Sequence, residues 1–523
     1  MSTKYMMGIL LVFVLVGGGI WINMSMNHMQ IQPTLQYEET SAENLPNATE
    51  SKVVELLDGD VYTIVASFVK KEINGEKVTM LAYNGSIPGP IIKAPQGAEI
   101  TINFINKTDV DAALHSHGVR LENQFDGVPD ITQKPIGVGE SFSYKIKLPD
   151  VGIYWYHPHI REDYAQEMGL YGNYWVAPSN SGYWAPANRE IPIFLDDILL
   201  NKSAIEGFDK TTTDHALMGR FGNTMLMNGE TNYTLSAKEG EVIRLFLTNA
   251  ANTRTFNFSI PGAQLKLVGG DNGKYEKETF IKSSIIAPSE RVVIDVYFAK
   301  SGSYDIVHST PTKSYKLGLA TVSDEPLNNT YSKDFLSLRT NEDVMLDIDS
   351  FRDDFDKPVD KSLRLSLAMK SSMGGDHMMG NNNMMTMGDT DPIEWEDSMG
   401  VMNKNSTTKT LEWNIIDENT GKKDMDIDWK FKIGDRVKIK IFNDPNSMHP
   451  MQHPFHFHGQ RFIVLSQDGK KNENLVWKDT VLIPQGSTIE VLVDMSNPGE
   501  WMAHCHIAEH LEAGMMLSFK VEK

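Results

Sequence analysis

Three stretches of the chain alternate apolar and polar residues in the same frame. GAEITINFIN (97–106), GEVIRLFLTN (240–249) and GDRVKIKIFN (434–443) each begin with glycine, carry an acid close behind it, and end in asparagine nine residues on. Strict alternation places successive side chains on opposite faces of an extended backbone, so each stretch predicts a half-buried strand. A second trio lies further along: GESFSYKIKLPDVGIYWYHPH (139–159), SERVVIDVYFAKSGSYDIVHS (289–309) and GSTIEVLVDMSNPGEWMAHCH (486–506). Each reads as strand, Pro/Ser/Gly turn, strand. Helical periodicity is scarce, and the identical Gly-to-Asn spacing argues against accidental alternation. The pattern predicts an all-β chain of three Greek-key β-sandwich domains.

The expected boundaries are 56–183 for the first domain, 184–325 for the second and 363–523 for the third, with a charged linker at 326–362. Near the start of the third domain, 369–402 is a low-complexity insertion carrying nine of the chain's 28 methionines. At the other end, Lys4 precedes eighteen uncharged, mostly apolar residues, 5–22. At about 1.5 Å rise per residue such a helix just spans a bilayer core. Residues 1–23 therefore read as a signal anchor or signal peptide, and 24–55 as a polar tether. No alanine occurs before Ala42, so an A-x-A cleavage site is absent and an uncleaved anchor is expected. The positive charge at Lys4 would stay inside, which makes the remainder extracytoplasmic.

Composition removes some function classes. A formal net charge of −20 would repel phosphate backbones, so no nucleic-acid partner is expected. The single cysteine excludes an intrachain disulfide.

Ten of the fifteen histidines fall in four short clusters: HSHG (115–118), HPH (157–159), HPFHFHG (453–459) and HCHIAEH (504–510). The clusters occupy corresponding places in the first and third repeats. The second repeat has Phe256, Asn257, Phe258 and Val307 there and lacks the ligands. In a strand, H-x-H puts both imidazoles on one face, so two such pairs from each of two domains could enclose several metal ions. Imidazole serves Zn, Cu, Ni or Fe, so these eight residues alone do not name the metal. The cysteine narrows it. Cys505 alternates with His504 and His506, and its sulfur must face away from that pair. His453, Cys505 and His510 form a His₂Cys set with Met515 as a candidate axial thioether, the blue-copper arrangement; a zinc site would more often show paired cysteines.

The four motifs H-x-H-G, H-x-H, H-x-x-H-x-H-G and H-C-H-x₃-H-x₄-M resemble those of three-domain multicopper oxidases, the laccase and bacterial cuprous-oxidase family, over about 56–523. The resemblance implies cupredoxin-like domains and about four copper ions per chain. By motif position, type 1 copper would take His453, Cys505, His510 and Met515, and type 2 copper His115 and His456. One type 3 copper would take His117, His157 and His506, and the other His159, His458 and His504. The implied reaction couples four one-electron oxidations to reduction of O₂ to water. Asp126, in QFDGVPD, matches the aspartate to which the family assigns proton supply. Where bacterial relatives often carry an acid after the last type 1 histidine, this chain has Leu511 between Glu509 and Glu512.

The reductant is read from the methionine tract, because thioethers are soft ligands suited to Cu(I). Candidate substrate residues are Met451 and His449 beside the type 1 site, and Met378, Met379, Met384 and Met385 in the tract. The resulting expectation is a Cu(I) oxidase for copper tolerance with laccase-like phenol oxidation. The alternatives are a phenol or pigment laccase with no cuprous role, or a copper-sequestering protein. A monomer is expected.

Overall fold

The computed structural model describes residues 42–209, 211–370 and 391–523. The anchor expected at 1–23 lies outside the described residues, as do Met378, Met379, Met384 and Met385. Among the described residues no helix is long and apolar enough to cross a membrane.

Three β-sandwiches follow one another, each around its own apolar core. In the first, a four-stranded sheet (Glu76–Tyr83, Val61–Ile73, Glu99–Lys107, Ser141–Lys147) shares a core with a five-stranded sheet that ends in Gly152–Pro158 and Leu114–His117. The second pairs six strands with five, and the third seven with five. Residues 326–362 hold two short helices, Ser332–Leu336 and Glu342–Asp349, and Ile348 and Phe351 pack against Trp477 and Leu492 of the third domain.

The repeated glycine and asparagine have the same work in each copy. Gly97, Gly240 and Gly434 adopt φ of +86°, +80° and +89°, a conformation that favours glycine. Their N–H groups bond to Leu148, Phe298 and Met495 carbonyls at 2.7, 2.7 and 2.9 Å. Asn106, Asn249 and Asn443 are buried, and each side-chain amide bridges two separated backbone carbonyls. Asn106 takes Val110 and Ile136, Asn249 takes Arg254 and Ile286, and Asn443 takes Met451 and Ile483. The last pair anchors the loop two residues before His453. Asn443→Ala would leave these buried carbonyls without a donor, at about 1–3 kcal/mol for a stranded group. Chemical denaturation should show that loss in the third domain.

Register then delivers the histidines. His115 faces His157 across one antiparallel pair, and His456 faces His504 across the other, with Phe455 opposite Cys505. In the second domain the corresponding strands set Phe258 opposite His308. One histidine survives there, but it faces an apolar partner.

Candidate metal centre

The cysteine site is built where three elements of the third domain meet. His453 opens the strand His453–Phe457, Cys505 closes the strand Gly499–Cys505, and His510 sits in the short helix Ala508–Glu512. All three are fully buried. Cys505 Sγ lies 3.4 Å from His453 Nδ1 and 3.8 Å from His510 Nδ1, and the two Nδ1 atoms are 3.4 Å apart. The Ile507 N–H points at the sulfur from 3.4 Å, a contact that favours a thiolate. Trp413 packs on His510 at 4.2 Å between centroids and meets His453 edge-on at 4.9 Å. Met515 is buried, its carbonyl accepting from Cys505 N–H at 3.1 Å and its N–H donating to His510 O at 3.1 Å. The backbone thus ties the candidate axial residue to two of its partners.

The other eight histidines form one buried cluster between the first and third domains. His117 stacks on His456 with centroids 3.7 Å apart, and His115 lies 4.1 Å from His458, so rings from the two domains interleave. His117, His157 and His506 lie together with centroid separations of 5.7, 4.9 and 5.0 Å, and the ligand atoms of His117 and His157 also come within 4.8 Å of that of His115. His159, His458 and His504 bring their ligand atoms within 4.8 Å of one another. His115 and His456 are 6.0 Å apart between centroids and converge with His458.

Hydrogen bonds decide which nitrogen each ring presents. Nδ1 of His115, His157, His456 and His504 donates to the carbonyls of Asp126, Pro158, Asp479 and Cys505 at 2.7, 2.7, 2.8 and 2.9 Å. His458 Nδ1 donates to Asp126 Oδ2 at 2.8 Å. A carbonyl accepts only, so the proton must sit on Nδ1 and the Nε2 lone pair faces inward. Nε2 of His115, His157, His159 and His456 has no partner, and those of His458 and His504 face each other at 2.9 Å. His117 is turned round. Its Nε2 meets Thr480 Oγ1 at 3.0 Å and Asp479 Oδ1 at 3.1 Å, leaving Nδ1 unpartnered. Orphaned, inward-facing nitrogens in a buried cluster, beside a His₂Cys set, fit copper.

Electrostatics support the same reading. Burial drives His453 down to about 3 and His458 to about 4, the latter also lowered by His115 and partly held up by Asp126. Burial and neighbouring imidazoles push His117, His157, His159, His456, His504 and His506 well below the usual histidine value. The rings are therefore neutral, the form that binds metal. Burial pushes the Cys505 thiol up, so a cation is needed to hold its thiolate.

Asp126 follows the short turn Asn123–Phe125 and is almost wholly buried. Burial raises its pKa, but His458 and His115 outweigh that and hold it below the usual carboxylate range. Leu511 packs in a small apolar cluster with Val128 and Met502. An acid from the first domain does stand beside the cluster. Glu162 is fully buried, neither oxygen has a hydrogen-bond partner, and Oε1 lies 3.5 Å from His159 Nδ1. Burial, then Glu512, Asp163 and Glu509, push it well above the ordinary value. Glu512 lines a cleft of about 360 Å³ that also reaches Asp111 and Arg161.

His449 is half-buried with an unpartnered Nε2 and interacts electrostatically with His510 and Asp397. Met451 lies inside the third-domain core. Glu162, Arg291, Asp479 and Thr480 had no signal in the sequence: each is an ordinary polar residue until the domains close around it.

Family models described as multicopper oxidase match residues 67–181, 190–329 and 386–523. The chain is 28% identical over 473 residues to a multicopper oxidase of Staphylococcus aureus, covering 88% of each. It is 26% identical over 496 residues to laccase-1 of Botryotinia fuckeliana, covering 88% of this chain and 81% of that protein. It is 23% identical over 564 residues to a copper resistance protein A homolog of Pseudomonas syringae pv. tomato, covering 89% and 93%. Among solved structures, a multicopper oxidase from Pseudomonas thermotolerans has the same fold, with a TM-score of 0.66 and 24% identity, covering 90% of this chain and all of that one. With each of its three sandwiches matched, the chain belongs to the multicopper oxidase family, oxidoreductases that use copper and O₂.

Proposed function

We propose that the chain oxidises Cu(I) to Cu(II) outside the cytoplasm, as a monomer, for copper tolerance. The observation that carries this reading is His449. It is partly buried and holds an unpartnered Nε2 within electrostatic reach of type 1 ligand His510 and of Asp397, beside the end of the methionine tract. Of the two candidates next to His453, Met451 is wholly buried and His449 only partly, so the orphaned Nε2 of His449 is the better placed to take up a cation. The name of the Pseudomonas syringae relative supports copper handling, and the apolar run at 5–22 supports export.

Bound at the residues described, copper supplies one-electron oxidation of the reductant and four-electron reduction of O₂ to two waters. The chain contributes position and connection. Cys505 shares its backbone with His504 and His506, and His504 Nδ1 also bonds to the Cys505 carbonyl at 2.9 Å. The two donor sets are therefore joined by a few covalent bonds and one hydrogen bond. Asp126 touches His458 and His115, placing an acid where O₂ reduction consumes protons.

Two variants test the substrate. Replacing 371–390 by a short Gly-Ser linker, and separately His449→Ala, should lower kcat/KM for Cu(I) by at least about tenfold, the effect of losing about 1.4 kcal/mol of transition-state stabilisation. Oxidation of a bulky phenol should persist or rise. Unchanged cuprous kinetics with efficient phenol turnover would favour the laccase reading instead. Cu(I) binding without O₂ uptake would indicate sequestration.

A further inference from the structure

The second domain carries none of the predicted copper ligands, yet one of its side chains reaches the histidine cluster. Arg291 opens the strand Arg291–Tyr297 and is fully buried. All five guanidinium N–H groups find acceptors. Nε donates to Ile153 O of the first domain at 3.1 Å. Nη1 donates to Ser289 O at 3.1 Å and to Asp479 Oδ1 of the third domain at 2.6 Å. Nη2 donates to Asp271 O at 3.4 Å and to Asp479 Oδ2. One side chain thus touches all three domains, and it grips Asp479 with the two-pronged geometry that a lysine ammonium cannot reproduce.

Asp479 lies close enough to His117 and His456 to be counted with them as a possible metal-binding group. Its two carboxylate oxygens are occupied by Arg291, however, and Oδ1 also accepts from Thr480 Oγ1 at 2.9 Å. What remains for Asp479 is to accept hydrogen bonds from the cluster, from His117 Nε2 at Oδ1 and from His456 Nδ1 at its backbone carbonyl. Both carboxylate oxygens already accept from Arg291 and Oδ1 also from Thr480, so in the His117 contact the ring donates from Nε2 and the Nδ1 lone pair faces the cluster. Gly118 makes room for this pair. Its φ is +78°, and a Cβ there would lie 2.3 Å from Asp479 Oδ2 and 2.7 Å from Arg291 Nη2. Behind Arg291, Asp271 Oδ1 accepts its backbone N–H at 2.7 Å, and Asp271 Oδ2 pairs with Lys478 Nζ at 3.0 Å.

We propose that Arg291 is a positioning residue through which the second domain, itself without copper ligands, sets the metal-binding nitrogen of His117, by way of Asp479. The ion pair is then required for copper at the histidine cluster and dispensable for copper at Cys505. The proposal rests on the family's copper centre and not on the identity of the reductant, so a metal titration with no reductant present tests it separately from the cuprous reading.

The experiment titrates copper into the metal-free full chain carrying Arg291→Lys or Asp479→Asn. The blue absorbance reports Cys505, and the type 2 paramagnetic signal and total bound copper report the cluster. Arg291→Lys is expected to weaken cluster copper about 10–100-fold, the usual effect of losing a partner behind a metal ligand, with the blue absorbance unchanged. Asp479→Asn, which keeps the side chain's shape, should show the same selectivity and decides the matter if the arginine variant does not fold. Cluster affinity within twofold of the parent, or a proportional loss of both centres, would overturn the proposal. A third measurement needs no variant: imidazole ¹⁵N shifts of the metal-free parent should show the His117 proton on Nε2, and a proton on Nδ1 would refute it.

Discussion

Cys505→Ser is expected to abolish the blue absorbance and reduce O₂-coupled turnover to the level of the copper-free chain. The sulfur is the one soft donor held between His453 and His510, at 3.4 and 3.8 Å from their Nδ1 atoms. A serine oxygen is a harder, less polarisable donor, and its proton is far less acidic than a thiol's, so the thiolate that defines this site is lost. The substitution is nearly isosteric in a fully buried position, and the hydroxyl can still accept the Ile507 N–H, so the fold should survive. Copper at the eight histidines should remain, because none of their ring nitrogens bonds to the sulfur. Absorption, bound copper and oxygen uptake on the same preparation separate these outcomes. Intact turnover without the blue band would refute electron entry at Cys505.

Asp126→Asn should slow O₂ reduction about 10²–10⁴-fold, the range contributed by a positioned proton donor or acceptor. Its backbone carbonyl accepts from His115 at 2.7 Å, and the substitution leaves that bond in place. What changes is the carboxylate facing His458 at 2.8 Å and His115 at 3.4 Å, which becomes an amide that cannot take and return a proton. Anaerobic reduction of the type 1 site by added reductant should keep its parent rate, since Asp126 has no contact with His453, Cys505 or His510. Rapid-mixing absorbance for the first step and oxygen uptake for the second provide the comparison. Wild-type oxygen uptake in this variant would remove Asp126 from proton supply and direct attention to Glu162, which lies 3.5 Å from His159.

Much of the centre was readable in advance because its signals are local. H-x-H in an alternating strand puts two rings on one face whatever lies around them, and HCH forces the sulfur of Cys505 to the other side. The repeated Asn106, Asn249 and Asn443 stand at the same distance from their glycines, and each carries the same pair of carbonyl bonds. Other features were not readable. In H-x-H-G both histidines look alike, yet His115 presents Nε2 and His117 presents Nδ1. The difference comes from Asp479 and Thr480, more than 360 residues away in sequence. Glu162 reads as one charge in an exposed-looking IREDYA, and only the meeting of its helix with Ala508–Glu512 buries it.

The sequence by itself therefore pointed to three β-sandwiches, the pairing of histidines on single strand faces and the partition of Cys505 from its flanking histidines. Each of these follows from the two-residue period of a strand. Tertiary structure alone decided which ring nitrogens face inward, which acids stand beside them, and that Arg291 of the second domain pairs with Asp479 beside the histidine cluster. Those are contacts between domains, and a buried hydrogen-bond acceptor acts over about 3 Å of space regardless of its distance along the chain.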